Sequence, residues 1–160
     1  MGLVRTLPLI VLGLVSCATS AKADPGVEVR GSVGMVAFAD DGAVLHGLYG
    51  GSARLYLNNR LSFEPEFQYL YNSSADKDVV FLLNGAFDFR GRNARIVPYV
   101  TGGVGWVHGI RPRFSENETM VSVGVGMKAF LTNRLYISPD FRLGGPIFAR
   151  VSVAVGWVVR

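Results

Sequence analysis

The chain has 160 residues, a formal net charge of +4 and 49% hydrophobic residues, and its length corresponds to one domain. Its single cysteine, Cys17, excludes an internal disulfide and a metal site built on several cysteines. The basic residues are not clustered into a stripe, which argues against a nucleic-acid partner, while twenty glycines suit a sheet that bends sharply and faces hydrocarbon.

Residues 1–23 have the organisation of a cleaved signal peptide. Arg5 supplies the positive charge, residues 7–15 are almost wholly apolar, and residues 21–23 read Ala-Lys-Ala, with small residues at the two positions that a signal peptidase recognises. The apolar stretch is far shorter than the roughly 20 residues that a membrane-spanning helix requires. We therefore expect export and cleavage.

A second interpretation of the leader stays open. Residues 14–17, Leu-Val-Ser-Cys, resemble a lipobox, in which cleavage before Cys17 leaves a lipidated N-terminus. With cleavage after residue 23, the folded domain spans residues 24–160. Its net charge falls from +4 to +2, because the leader removes Arg5 and Lys22.

After the leader, apolar residues alternate with polar or small ones at a period of two. The pattern is clearest at residues 61–69, where odd positions are large and apolar or aromatic and even positions are polar or charged. Because successive side chains of a strand point to opposite faces, this pattern predicts strands. The predicted strands cover residues 27–35, 49–57, 61–69, 79–90, 96–107, 121–129, 135–143 and 150–159. The glycine-rich segment 96–107 does not indicate which face points inward.

The charged side chains of these strands share one face with glycine, serine and alanine, whereas most large aromatic residues lie on the other. Small residues suit the interior of a narrow barrel. We therefore predict an all-β fold, an eight-stranded antiparallel up-and-down transmembrane β-barrel. Its lumenal ion-pair network comprises Glu28, Arg30, Arg54, Glu64, Glu66, Asp88, Arg90, Lys128, Asp140, Arg142 and Arg150. The alternative is a water-soluble β-sandwich with these charges facing outward.

Loop lengths predict the orientation in the membrane. Outer-membrane barrels have short periplasmic turns and longer extracellular loops. The short connections at residues 58–60, 91–95 and 132–134 are therefore placed at the periplasm. The segments near 39–47, 72–77, 108–119 and 144–148 are placed outside the cell, the longest predicted loop being 109–118.

An internal repeat relates two parts of the chain. Residues 57–61 and 65–67 match residues 131–135 and 139–141 at six of eight positions, with an offset of 74 residues. A three-residue turn centred on Asn59 places Arg54 opposite Glu64 and predicts a lumenal ion pair. The equivalent turn places Lys128 opposite Ser138. Pro65 and Pro139 lack an amide hydrogen, so a bulge or a weakly paired point is expected at each.

The Asn-Arg-Leu turns followed by Pro-Glu-Phe or Pro-Asp-Phe, the segment 98–105 and the last strand, 150–159, resemble the outer-membrane protein β-barrel domain family of small bacterial surface barrels. The resemblance implies a closed barrel in the outer membrane of a Gram-negative bacterium, inserted by the assembly machinery. It implies no particular activity. The expected partners are outer-membrane lipid and lipopolysaccharide, and we expect a monomer.

The sequence predicts no catalytic, cofactor or metal site. The two histidines, His46 and His108, are expected at the extracellular rim, and an enzyme would have to combine His108 with Ser115 and an acidic residue of the same loop. Arg111 and Arg113 form a small basic spot that could bind acidic glycans or lipopolysaccharide. The predicted function is structural or surface-interacting. The alternatives are a narrow pore and an outer-membrane lipid-modifying enzyme.

Overall fold

The computed structural model describes residues 26–38, 44–73, 76–91, 94–110, 115–145 and 147–159. The leader with Cys17 and the basic pair Arg111 and Arg113 lie outside these residues. The strands are β1 (Val27–Phe38), β2 (Val44–Tyr56), β3 (Leu61–Ser73), β4 (Asp76–Asp88), β5 (Ile96–Ile110), β6 (Ser115–Phe130), β7 (Leu135–Gly145) and β8 (Phe148–Val158). Each strand pairs antiparallel with its sequence neighbours, and β1 pairs with β8, which closes the barrel and confirms the predicted architecture.

Because the number of strands is even, β1 begins and β8 ends at the same end of the barrel. We call this the terminal end and the opposite one the distal end. The backbone closes tightly at the terminal end, where the Val159 amide donates to the Val27 carbonyl at 2.8 Å. No helix in the described ranges is both long and apolar enough to cross a membrane.

The outward face of the barrel is apolar. In β8, Ser152 and Ala154 are buried in the interior, whereas Val153 and Val155 point outward and are about half exposed. Among the strand residues whose side chains the structure describes, Lys77 is the only Lys, Arg, Asp or Glu at an outward position. Such a surface matches hydrocarbon rather than water.

Strand β5 points its odd-numbered side chains inward, unlike the other seven strands. Tyr99 pairs with Asp88 of β4, and both are buried, whereas the neighbouring Val100 and Trp106 are exposed on the outside. The register with β4 therefore determines the facing that the glycine-rich sequence left undetermined.

The strands extend farther toward the distal end than predicted, and the prediction of a long loop at residues 109–118 is wrong. β5 continues to Ile110 and β6 begins at Ser115, so only residues 111–114 separate them. His108 pairs with Asn117 in this extension. Backbone pairing does not require apolar side chains, so the polar residues of this segment gave no sign that the two strands continue. The distal connections have two to five residues and the terminal turns four to seven, so the distal connections are not the longer group and loop length gives no orientation here.

The repeat corresponds to two equivalent hairpins, β2–β3 and β6–β7. The Leu57 amide donates to the Leu61 carbonyl at 2.9 Å, and the Leu131 amide donates to the Leu135 carbonyl at the same distance. Both ladders lack pairs around the proline that follows the turn, at Pro65 in β3 and in the equivalent part of β7. A missing amide hydrogen thus interrupts the ladder at equivalent points.

We expect the substitution Asn58→Ala to destabilise the barrel by about 0.5–1.5 kcal/mol. The Asn58 side-chain oxygen accepts hydrogen bonds from the amides of Arg60, at 2.9 Å, and Leu61, at 2.8 Å. Denaturant unfolding in lipid vesicles measures the loss. Asn58→Asp keeps the acceptor and is the control, so equal losses in the two variants would exclude this role for the turn.

Candidate functional site

The barrel interior contains most of the charged residues of the predicted network. Ten of the eleven are buried there: Glu28, Arg30, Arg54, Glu64, Glu66, Asp88, Lys128, Asp140, Arg142 and Arg150. Arg90 is the exception, and its predicted lumenal position is wrong. Because β4 ends at Asp88, Arg90 lies in the turn that follows and is exposed. These ten are five acidic and five basic residues, so their formal charges balance; one further buried acid, Asp78, lies nearer the distal end.

Glu64 is the best-connected carboxylate near the terminal end. Its Oε2 lies 2.6 Å from Nη2 of Arg54, and its Oε1 lies 2.8 Å from Nη1 of Arg30. The Ser52 hydroxyl donates to Oε1 at 2.6 Å. This is the Arg54–Glu64 ion pair that the turn register predicts. With no exposed side-chain surface, Glu64 depends on these partners to replace water.

Lys128 connects β6 to strands of the first half of the chain. Its Nζ lies 2.8 Å from Oδ2 of Asp88 and 3.3 Å from Oε2 of Glu28, and it also contacts the Tyr56 hydroxyl. The Tyr136 hydroxyl donates to the same Glu28 oxygen at 2.7 Å. Lys128 thus pairs with carboxylates of β1 and β4, while Ser138, which the register places opposite it, bonds elsewhere.

A second group of charges lies nearer the middle of the barrel. Arg142 places Nη1 2.8 Å from Oε2 of Glu66 and Nε 3.0 Å from Oδ1 of Asp140. Arg150 contacts the same two residues, at 3.1 Å and 2.9 Å. Two guanidinium groups and two carboxylates therefore neutralise one another across the lumen.

Arg30 and Tyr99 connect the two groups. Arg30 donates through Nη2 to the Tyr99 hydroxyl at 3.3 Å, and this hydroxyl donates to Oδ2 of Asp140 at 3.0 Å. The guanidinium carbon of Arg54 lies 4.5 Å from the Tyr99 ring centre, a cation–π contact. The charges therefore form one continuous network from Glu28 to Arg150.

Two glycines provide the space for the interior tyrosine rings. Tyr99 is paired with Gly126 on β6, and Tyr136 is paired with Gly156 on β8. A Cβ at either glycine would overlap the tyrosine ring opposite. The absence of these side chains lets both rings lie on the barrel wall, which directs the Tyr136 hydroxyl to Glu28 and the Tyr99 hydroxyl to Asp140.

Beyond the charges, the distal part of the lumen is filled by hydrophobic side chains. We call this set the apolar layer, and it consists of Val36, Leu48, Leu70, Val80, Leu82, Met120 and Phe148. Sequence reasoning missed this layer, because segments such as residues 79–83 are apolar on both faces and hide the alternation. A signal was present: on each of these strands the inward polar residues are even-numbered, and continuing that alternation toward the distal end places the apolar residues of the layer inside as well.

The apolar layer and the charged network meet with little space between them. A small void lies between Leu70, Phe148, Arg142 and Arg150. Its free space for the centre of a water molecule is about 10 Å³, enough for about one water.

The two histidines lie on opposite faces of the barrel wall. His46 is buried in the interior, and its Nε2 lies 4.0 Å from Oδ2 of Asp78, whereas His108 points outward and is exposed. This separation does not favour a shared catalytic site. The described residues contain no group of three or more His, Cys, Asp or Glu side chains arranged to hold a metal ion.

Several solved structures have this fold. The N-terminal β-barrel domain of Pseudomonas aeruginosa OprF is 18% identical, with a TM-score of 0.68 over 83% of this chain and 96% of that chain. Neisserial surface protein A is 14% identical, with the same TM-score and coverage. Ail of Yersinia pestis is 13% identical, with a TM-score of 0.51 over 86% of this chain and 98% of that chain. At these identities the likeness shows the fold alone.

No curated protein sequence matches the chain. The family described as outer membrane protein beta-barrel domain matches residues 7–148, which is most of the sequence. The match agrees with the closed eight-stranded barrel and its apolar outward face, and it implies an outer-membrane location. The chain therefore belongs to the outer membrane protein beta-barrel domain family.

Proposed function

We propose that the protein is a closed, non-conducting barrel with a structural or surface-interaction role in the outer membrane. The supporting observation is that two different layers fill the lumen in series. The charged network lies toward the terminal end, and the apolar layer lies toward the distal end. An ion crossing the barrel would have to break paired charges and then pass between packed hydrophobic side chains.

The geometry of the charged network opposes conduction on energetic grounds. Its carboxylates and cations are already paired, with Glu64 shared by Arg30 and Arg54. Removing one partner from such a pair leaves an unpaired buried charge, which is strongly unfavourable. Eight strands also enclose an interior that side chains fill, whereas open aqueous channels generally have about 16 strands.

The short distal connections indicate which surface of the barrel contacts its partners. Residues 39–43, 74–75, 111–114 and 146–147 separate the strands there. Such short connections favour contacts through the rim and the lipid-facing surface over contacts through long displayed loops. In this proposal the partners are outer-membrane lipid and lipopolysaccharide, the assembly machinery inserts the chain, and the barrel acts as a monomer.

In planar bilayers we expect the purified barrel to give no steady ion-conducting steps. A variant combining Leu70→Ala, Leu82→Ala and Phe148→Ala, which removes much of the apolar layer, should also be silent, because the charged network still closes the lumen. A 16-stranded porin in the same bilayer serves as the positive control. Regular, ion-selective steps from the unmodified protein would contradict the proposal and favour a narrow pore.

A further inference from the structure

One side of the outer surface differs in chemistry from the rest. Strands β2 to β5 bring together, on the outside near the distal end, a set that we call the aromatic patch: Tyr49, Tyr69, Tyr71, Lys77, Trp106 and His108. It contains Lys77, the single outward-pointing charge among the strand residues whose side chains the structure describes. No other part of the described lipid-facing surface combines hydroxyl, imidazole and ammonium groups.

The strand register places these side chains next to one another. Tyr71 pairs with Lys77 across β3 and β4. One row toward the middle, Tyr49 pairs with Tyr69, which pairs with Val79, which pairs with His108. Because directly paired side chains lie about 5 Å apart at Cβ, these residues lie on one stretch of the wall, with Val79 between Tyr69 and His108.

The aromatic rings in and beside the patch pack against one another on the outer wall. The ring centres of Tyr49 and Tyr69 are 5.2 Å apart, and Trp106 stacks on Phe81 with 6.1 Å between centres and 13° between planes. A Cβ at Gly47 would lie 2.6 Å from Cζ of Tyr71, so the absence of that side chain lets the Tyr71 ring lie along the wall.

The confinement of the patch to one side argues for a specific ligand. Aromatic residues that only anchor a barrel at the interface form girdles around it. The outward positions of β6, β7, β8 and β1 carry no tyrosine, histidine or charged residue in the described ranges, and their one tryptophan, Trp157, lies at the terminal end. A charge on the lipid face is unfavourable unless it reaches the head groups, where it attracts anionic lipid.

We propose that the aromatic patch binds an anionic lipid with a phosphate-bearing head group. The Lys77 ammonium contacts the phosphate, the tyrosine hydroxyls and His108 hydrogen-bond to the head group, and the acyl chains lie against Phe81 and Trp106. This inference requires only that the barrel spans a membrane. It holds whether or not the lumen conducts, so its failure is distinguishable from failure of the proposed function.

Tryptophan fluorescence tests this site, because the chain has two tryptophans. The variant Trp157→Phe leaves Trp106 as the reporter. The control combines Trp106→Phe, Trp157→Phe and Phe141→Trp. Phe141 points outward on the side of the barrel away from the patch. It lies four residues from the distal end of β7, and Trp106 lies four residues from the distal end of β5. Both proteins are placed in vesicles of phosphatidylcholine with a minority of phosphatidylglycerol, and either lipid carries bromine on its acyl chains.

At equal mole fraction of bromine-bearing lipid, we expect brominated phosphatidylglycerol to quench Trp106 at least about twofold more than brominated phosphatidylcholine does. The control should show no preference. Adding Lys77→Gln to the Trp106 reporter should abolish the excess without unfolding the barrel, since Lys77 is exposed. Equal quenching of Trp106 by the two lipids, an equal excess at the control position, or an excess that survives Lys77→Gln would each overturn the proposal.

Discussion

The substitution Glu64→Gln is expected to lower the free energy of unfolding by about 3–5 kcal/mol, the usual consequence of removing one partner from a buried ion pair. The change preserves the side-chain volume but removes the negative charge between Arg30 and Arg54, whose guanidinium nitrogens lie 2.8 Å and 2.6 Å from its oxygens. Asp88, at 3.5 Å from Arg54, is too distant to replace it fully. Denaturant titration of the barrel in vesicles, followed by tryptophan fluorescence, measures the effect.

Glu118→Gln is the matched control, because this carboxylate is exposed in β6, and a change within about 0.5 kcal/mol is expected there. A second substitution separates charge from packing. Arg30→Met in the Glu64→Gln background should recover part of the lost stability, because it removes one of the two cations left without a counter-charge. Equal effects of Glu64→Gln and Glu118→Gln would show that the network is not the principal stabiliser of the interior.

The substitution Gly156→Ala is expected to destabilise the barrel by about 1–3 kcal/mol through overpacking. The added methyl group would overlap the Tyr136 ring, which lies directly across the β7–β8 pair. Displacing the ring would also remove the 2.7 Å hydrogen bond from its hydroxyl to Glu28. The same denaturant titration, with the mobility of the unheated protein on gels, reports the loss.

Gly31→Ala provides a control at another strand glycine. Gly31 points outward, and a Cβ there would meet no atom within 4 Å. We expect this variant to be as stable as the unmodified protein. If Gly31→Ala and Gly156→Ala had the same effect, backbone flexibility rather than the space for Tyr136 would explain the role of Gly156.

The sequence predicted the fold because alternation at a period of two is a local property that each strand carries by itself. Segment 61–69 displays its two faces without reference to any partner. The turn at Asn59 is local as well, and its length alone is enough to place Arg54 opposite Glu64. These features depend on residues that are close in the chain.

The remaining features depend on distant residues. The apolar layer brings Val36 together with Met120 and Phe148 from strands far apart in sequence, and each residue alone could equally face lipid. Arg90 continues the alternation of β4, but the strand ends two residues earlier. The facing of β5 follows from the pairing of Asp88 with Tyr99. Pattern alone therefore predicts faces and leaves the ends of strands and the contents of the lumen undetermined.

Membrane fractionation combined with heat-modifiability on gels tests the central claim, that the polar face of this barrel is inside and the apolar face meets lipid. We predict that the full chain, expressed in a bacterium with an outer membrane, is recovered in the outer-membrane fraction. The unheated protein should migrate differently from the boiled protein, because the closed barrel resists unfolding by detergent. Recovery in the soluble periplasmic fraction, with no mobility shift on heating, would contradict this claim.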